Sequence, residues 1–327
     1  MKTIGVYMPE FLYRYNKTDR LYFDELQRTI KKSGRYKSRR INIPQLLFLS
    51  ERSAKIFCKR YDLALIIMHD SPFYSRNKRY ARNVRFLERY VTFMNNAKAQ
   101  EIGHDKISTK KLLRERGIPV LDDMIVTSAE GLVAHLEAGK WHVIKPSNEG
   151  GGTGVKLIKK EVDNLFEYHN GKWMSIKVKS KKAPDGRTGI KLSRGTGLRS
   201  YSFYSPMLVE PYFNDDAEGF SSYRCTVIGD EVVEAVKRTN KLNITSNVSS
   251  GGIAKSVVLD DDQKKMAIAV CRAVGADYAG VDFLMCGGKS VVGEINIGPF
   301  TVFTEYTGAH VGKALAEYAM NACDTRG

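Results

Sequence analysis

A lysine, a glycine-rich run and a resumed strand follow one another in His142-Val143-Ile144-Lys145-Pro146-Ser147-Asn148-Glu149-Gly150-Gly151-Gly152-Thr153-Gly154-Val155-Lys156-Leu157-Ile158. Glycines let backbone N–H groups close around phosphate oxygens without interference from Cβ, and Lys145 adds a point charge. A P-loop or a dinucleotide fingerprint would open a helix directly after the glycines. Residues 155–158 read instead as a strand, so the loop is expected to be a hairpin lid. Taken alone, such a cluster is more commonly the mark of a plain flexible turn. A second cluster gives it weight. Asp282 lies in Ala279-Gly280-Val281-Asp282-Phe283-Leu284-Met285, and Glu294 and Asn296 lie in Val291-Val292-Gly293-Glu294-Ile295-Asn296-Ile297. A turn at Gly287-Gly288 pairs the two strands and sets Asp282 opposite Glu294 to within one residue of register, with Glu294 and Asn296 on one face. Three hard oxygen donors thus converge, as one or two magnesium ions bridging ATP phosphates require. The flanking Val281, Phe283 and Ile295 imply burial and argue against an incidental surface hairpin.

The elements that must position these groups can be read from periodicity and punctuation. Apolar runs at 4–7 and 63–68 alternate with basic helical stretches at 21–32 and 84–94, a βα pattern that implies a small open α/β domain. Asp105 is placed to cap a helix through Ile107, Leu112 and Leu113 that Gly117 and Pro119 stop. Thr127 with Glu130 reads as a capping box for a helix carrying Leu132, Val133 and Leu136, ended by Gly139 before a strand at 141–144. Residues 170–205 have no clean period and many Gly and Lys, and are expected to form a mobile loop. Beyond them come a strand at 207–212, a hairpin at 223–236 turning at Gly229-Asp230, and an amphipathic helix at 263–274.

With 327 residues the chain can hold two or three subdomains. The opening MKTIGVYMPEF has no long apolar run after a basic start, and no stretch approaches the roughly 20 apolar residues of a membrane span, so a soluble cytoplasmic protein is expected. Cys58, Cys225, Cys271, Cys286 and Cys323 are scattered and lack zinc-ligand spacing, which implies buried thiols in a reducing compartment. The net charge of +16 is unevenly placed: residues 1–100 hold 22 Lys and Arg against 8 Asp and Glu. Lys177, Lys179, Lys181, Lys182, Arg187, Lys191 and Arg194 oppose only Asp185 between Lys172 and Arg199. Such stretches are either a solvated surface or a face for a polyanion.

In these residues the chain resembles the ATP-grasp superfamily, in particular its glutathione-synthetase-like and ribosomal-protein glutamate-ligase-like branch. The resemblance runs from about Asn95 to Gly312 and keeps the family's order of elements. It implies an α/β (α+β) ATP-grasp fold with three parts: an N-terminal open α/β domain at 1–104, a lid subdomain with the glycine-rich loop at 105–206, and a C-terminal α+β subdomain with the metal site at 207–327. By the same resemblance Lys106, in Asp105-Lys106, and Lys145 reach the ATP phosphates. Glu149, Gly150, Gly151, Gly152, Thr153 and Gly154 form the lid, and Glu210 with the backbone near Tyr212 reads adenine. Glu218 holds the ribose, Arg224 and Arg238 meet the transferred phosphate and acyl group, and Asp282, Glu294 and Asn296 bind one or two Mg2+ ions. Where the family places a serine or proline pair after the Glu-x-Asn ligands, this chain reads Ile297-Gly298-Pro299-Phe300, which leaves the adjoining pocket unassigned.

The activity implied is ATP-dependent ligation of a small-molecule or peptide carboxylate to an amine through an acyl phosphate, with substrates of acidic character favoured by the basic segments. A kinase acting on a polyanionic small molecule is the first alternative. A non-catalytic nucleotide- or nucleic-acid-binding module is the second, although it leaves three intact metal ligands unexplained. Tyr13, Tyr15, Tyr36 and Tyr80 stand among the basic residues, yet at helical and strand spacing they suit packing better than base stacking. Nucleic acid is therefore not the expected partner, no membrane is implied, and the oligomeric state is left open.

Overall fold

The structure is a computed structural model that describes residues 1–7, 17–41, 51–66, 84–149, 152, 154–162, 164–194, 200–204, 206–298 and 303–325. The first hundred residues build a parallel sheet of β1 (Lys2–Tyr7), β2 (Tyr36–Arg40), β3 (Leu63–Ile66) and β4 (Thr92–Met94) in the order β2-β1-β3-β4. Parallel neighbours need crossovers, and α1 (Lys17–Lys32) and α2 (Glu51–Cys58) lie on those connections. The helix expected over 84–94 is confined to 84–87, because Phe93 and Met94 are buried in the sheet as β4. Tyr36 is buried and donates to Met320 O at 3.2 Å, a packing role, whereas Tyr13, Tyr15 and Tyr80 lie outside the described residues.

Eight antiparallel strands form the second sheet, in the order β11-β10-β9-β8-β7-β6-β12-β5. They are β5 (Met124–Val126), β6 (Trp141–Pro146), β7 (Lys156–Glu161), β8 (Asn164–His169), β9 (Lys172–Lys182), β10 (Thr188–Arg194), β11 (Ser200–Phe203) and β12 (Met207–Pro211). The loop expected over 170–205 is thus corrected to three strands. Its period of two was hidden by lysines on one face, whereas Ile176, Ile190, Leu192 and Phe203 on the other enter the core. Gly171 and Gly186, both at positive φ, sit in the turns. The cap of the following helix is corrected as well: Ser128, not Thr127, accepts from Gly131 N at 3.0 Å to start α5 (Ala129–His135), and Glu130 accepts from Ser180 Oγ at 2.9 Å instead of closing a box.

The third sheet has the order β15-β14-β13-β16-β17, from β13 (Phe220–Ile228), β14 (Glu231–Asn240), β15 (Ile253–Ser256), β16 (Tyr278–Cys286) and β17 (Lys289–Ile297). The turns at Gly229-Asp230 and Gly287-Gly288 fall where the sequence places them. Helix α6 (Asp261–Val274) begins at a capping box of Asp260 with Gln263 and buries Ala267, Val270 and Cys271 on this sheet.

Two helices knit the parts together. Asp105 closes α3 (Ala97–His104), which packs on β17, and its carboxylate accepts from Ile107 N and Ser108 N to open α4 (Lys106–Glu115). After the short α7 (Thr304–Thr307), helix α8 (Val311–Thr325) returns to the first sheet, where Leu315, Ala316 and Ala319 join Ile4, Leu26 and Leu63 in one core. Cys225, Cys271, Cys286 and Cys323 are free thiols. No helix among the described residues is long and apolar enough to cross a membrane.

The contact between α3 and β17 is close because Gly103 has no side chain: a Cβ there would lie 2.2 Å from Ile297 Cγ1. Gly103→Val should therefore cost about 1 to 3 kcal/mol through overpacking. Urea denaturation would measure it, and an unchanged midpoint would show that helix and strand part readily.

Candidate active site

A cleft with about 910 Å3 of empty space, part of it continuous with solvent, opens between the second and third sheets. One wall is formed by β6 and β12, paired so that Leu208 faces Lys145 and Glu210 faces Val143. Alternation puts all four side chains on the cleft side. The other wall is β13–β14 and β16–β17, where Asp282 pairs directly with both Arg224 and Glu294, and Gly280 with Asn296. The expected register of Asp282 against Glu294 is what the strands adopt.

Glu210, buried at the centre of the first wall, has both oxygens held: Oε1 by Lys110 Nζ at 2.5 Å and Oε2 by Lys145 Nζ at 2.8 Å. Lys110 also reaches Leu121 O at 2.9 Å and Asp123 Oδ1 at 3.3 Å. Burial alone would raise the Glu210 carboxyl, but the two ammonium groups outweigh it and hold it below its ordinary value. Burial, with Lys145 and Arg114 alongside, brings the Lys110 ammonium down to about 8 in spite of Glu210.

The second wall repeats the arrangement. Arg224 donates through Nε and Nη2 to the two oxygens of Asp282, and Arg238 Nη2 lies 3.1 Å from Oδ1. These guanidinium groups overcome the effect of burial and keep the Asp282 carboxyl low. Arg238 is fixed in turn by Ser222 Oγ at 2.7 Å and Asn247 Oδ1 at 2.9 Å. Lys106 bridges the walls, with Nζ 3.0 Å from Glu294 Oε1 and donating to Glu149 O. The cleft itself is lined by Lys106, Lys145 and Arg238 together with Glu149, Glu210, Asp282 and Glu294, while Lys110 and Arg224 hold Glu210 and Asp282 from behind the walls.

The glycine-rich segment is described only in part. Gly150, Gly151 and Thr153 lie outside the described residues, while Glu149 and Gly152 line the cleft. Gly152 has φ +77°, and a Cβ there would meet Thr245 Cγ2 at 2.8 Å, so the segment rests on the 241–252 connection only because this residue is glycine. Gly154 also has φ +77°. Tyr212 lines the cleft, and its N–H donates to Trp141 O at 3.0 Å.

Two residues sit differently from expectation. Glu218 is exposed and does not line the cleft, because a turn in which its N–H donates to Asp216 Oδ1 carries it outward; Asn214 lines that end instead. Arg224 lies beneath Asp282 and not on the cleft surface, since Asp282 takes up its guanidinium. Sequence reading missed Lys110, Asp123, Ser222 and Asn247. Lys110 follows Lys106 by four positions, one helical turn along α4, and Ser222 precedes Arg224 by two on a strand; those spacings were the available signals.

Asp282, Glu294 and Asn296 fit a divalent cation by their donors. Among the described residues no cluster of three or more His, Cys, Asp or Glu offers a metal site, and here two carboxylates are joined by an amide. Asn296 Nδ2 is buried without a hydrogen-bond partner, and turning the amide over would present its oxygen on that face.

The RimK-like ATP-grasp domain model matches residues 198–319. A probable alpha-L-glutamate ligase of Haemophilus influenzae is 24% identical over 230 residues, 69% of this chain and 66% of that protein. The corresponding Mannheimia succiniciproducens protein is 36% identical over 103 residues, 31% of this chain and 34% of that protein. The chain thus spans less than two thirds of the length of these relatives. D-alanine–D-alanine ligase from Bacillus anthracis superposes over 100% of both chains with a TM-score of 0.61 at 16% identity, and the same enzyme has been solved with ATP. These matches support a RimK-like ATP-grasp domain over residues 198–319 and an ATP-grasp fold for the chain. Its three sheets are an ATP-grasp fold, and the matched domain contains β11 to α7 and the start of α8, with the Asp282, Glu294 and Asn296 row.

The charge pairing in this ATP-grasp cleft makes stability depend on acid. The contribution of Glu210 is fully present above its unfolded value of 4.5 and is lost as pH falls through the lower folded value. Glu210→Gln leaves Lys110 and Lys145 buried without their carboxylate and should cost about 3 to 5 kcal/mol at neutral pH. Its stability should also fall less steeply below pH 4.5 than that of the wild type. Urea titrations from pH 3 to 7 would check both, and parallel acid limbs would remove the assignment.

Proposed function

We propose that this chain is an ATP-dependent carboxylate–amine ligase that forms an amide or peptide bond through an acyl phosphate and releases ADP and phosphate. The observation that carries this reading is a cleft in which Lys106, Lys145 and Arg238 stand around the paired carboxylates Asp282 and Glu294. Lys106 and Lys145 are the phosphate ligands, helped by N–H groups of the lid at 150–154. Glu210 and the backbone beside Tyr212 take adenine, with Asn214 in place of Glu218 toward the ribose. Residues 1–104 help hold the carboxylate substrate, 105–206 supply the lid, and 207–327 supply the acidic face, with β12 completing the lid sheet.

Asp282, Glu294 and Asn296 are the residues that would hold one or two magnesium ions, which when bound screen the phosphate charges. A carboxylate oxygen of the substrate attacks the γ-phosphorus and the bond to ADP breaks. The amine then forms the C–N bond as the acyl C–O bond breaks, and phosphate leaves with the ammonium proton passing to solvent. Arg238, braced by Ser222 and Asn247, faces the cleft and stabilises charge on the transferred group, while Arg224 acts from behind Asp282. Positioned charge of this kind carries most of the rate enhancement in such transfers. The names of the matched relatives favour amide formation over phosphorylation of a hydroxyl.

Lys145→Ala and Lys106→Ala should each weaken ATP binding by about 1.5 to 3 kcal/mol, the worth of a charge-assisted contact. Calorimetry reads this directly, and wild-type affinity in both would remove the phosphate assignment. With acidic and peptide carboxylates offered alongside hydroxylamine, the products should be ADP, phosphate and a hydroxamate. A phosphorylated acceptor without free phosphate would select the kinase alternative, and AMP would contradict both.

A further inference from the structure

The outer half of the eight-stranded sheet carries a row of lysines that the cleft does not use. On β9, Lys177, Lys179 and Lys181 alternate with Ile176, Val178 and Ser180, and the register sets Lys191 of β10 directly opposite Lys179. All four therefore project from one face. The opposite face is covered by α5, with Ser180 Oγ accepting from Ala129 N at 3.1 Å and donating to Glu130. Following the pairings across β8 and β7 to β6 puts the lysine face on the same side of the sheet as Lys145, Val143 and Trp141. The row thus continues the plane of the cleft wall, three strands or about 14 Å further out.

Like charges directly opposite on neighbouring strands destabilise a sheet. Elsewhere on this sheet Lys156 pairs with Glu167 and Lys159 with Glu161, yet among the described residues Lys177, Lys179, Lys181 and Lys191 have no carboxylate partner. Asp185, the acidic residue of the hairpin tip, is taken by Arg187. Four uncompensated lysines held in register are an unfavourable arrangement for a surface that only needs to be soluble, because mixed charges would serve that end.

We propose that this lysine ladder is a docking surface for an extended acidic polypeptide segment. Lysines two apart on a strand are about 6.8 Å apart, the spacing at which alternate side chains of an extended partner also project. Nucleic acid fits less well. The ladder holds neither arginine nor ring, and the nearby aromatics on this face are packed on one another, Trp141 with Trp173 at 5.2 Å and Tyr168 with Trp173 at 5.4 Å, with Trp141 the one of the three that is exposed. The surface stands independently of the ligase reading, since binding to it needs neither nucleotide nor turnover.

The test uses the full chain and fluorescence anisotropy with three labelled probes: a Glu/Ser alternating peptide of about a dozen residues, its Gln/Ser counterpart, and a single-stranded oligonucleotide of similar charge. The acidic peptide should bind, weaken as salt shortens the screening length, and lose at least tenfold in affinity when Lys177, Lys179, Lys181 and Lys191 are all changed to Gln. Changing all four to Arg should retain binding, which separates loss of charge from loss of fold. Changing Lys31, Lys32, Lys37 and Arg39 to Gln removes the same charge from another exposed region and should leave affinity within about twofold. The proposal is overturned if the acidic peptide does not bind, if the ladder and control variants lose affinity equally, or if the oligonucleotide binds more tightly than the peptide.

Discussion

A buried carboxylate stays ionised only while cations hold it, and Glu210 and Asp282 impose that condition on the whole cleft. Each satisfies it with two basic side chains drawn from different elements. Lys110 comes from α4 and Lys145 from β6; Arg224 comes from β13 and Arg238 from β14. Lys106 completes the set by tying α4 to β17 through Glu294. Helix α4 ties the two walls, because Lys110 on Glu210 and Lys106 on Glu294 cannot be withdrawn without leaving charge in a poorly solvating place.

Under the proposed function, the same pairing prepares the site for a polyanion. With two cations on each, Glu210 and Asp282 are easy to keep charged, while burial moves Lys110 and Arg238 the other way, toward easier loss of a proton. On that reading, an incoming phosphate would give Lys145 and Lys106 a second set of partners. Preorganised charge in a partly dry cleft is also what makes electrostatic catalysis effective, because little reorganisation is left for the reaction itself.

Much of this was legible in the residues. The Gly287-Gly288 turn dictated the pairing of Asp282 with Glu294, and the cap at Asp105 is a local hydrogen-bonding device readable from spacing, whereas the capping box of Asp260 with Gln263 went unread. What escaped notice was set by tertiary contact. Lys110 looks like an ordinary surface lysine of a basic helix until β12 brings Glu210 against it. Strands β9 to β11 were masked because solvent-facing lysines diluted the apolar alternation, and the inward residues acquire meaning only once α5 covers them. Glu218 was misplaced for a similar reason: the Asp216 turn that swings it outward leaves no signature beyond two neighbouring acids.

Helix α8 gives the chain an unusual order of assembly. The core of the first sheet, which begins at Ile4, is closed by Leu315, Ala316, Ala319 and Cys323, some three hundred residues later. During synthesis at about 5 to 20 residues per second, the interval between β4 and that helix is on the order of ten to fifty seconds. Throughout it the apolar face awaiting α8 stays uncovered while the second and third sheets emerge and can form. The N-terminal sheet, although made first, is thus the last to reach its final packing, and its dense positive charge helps keep the waiting face from associating with other chains of the same kind.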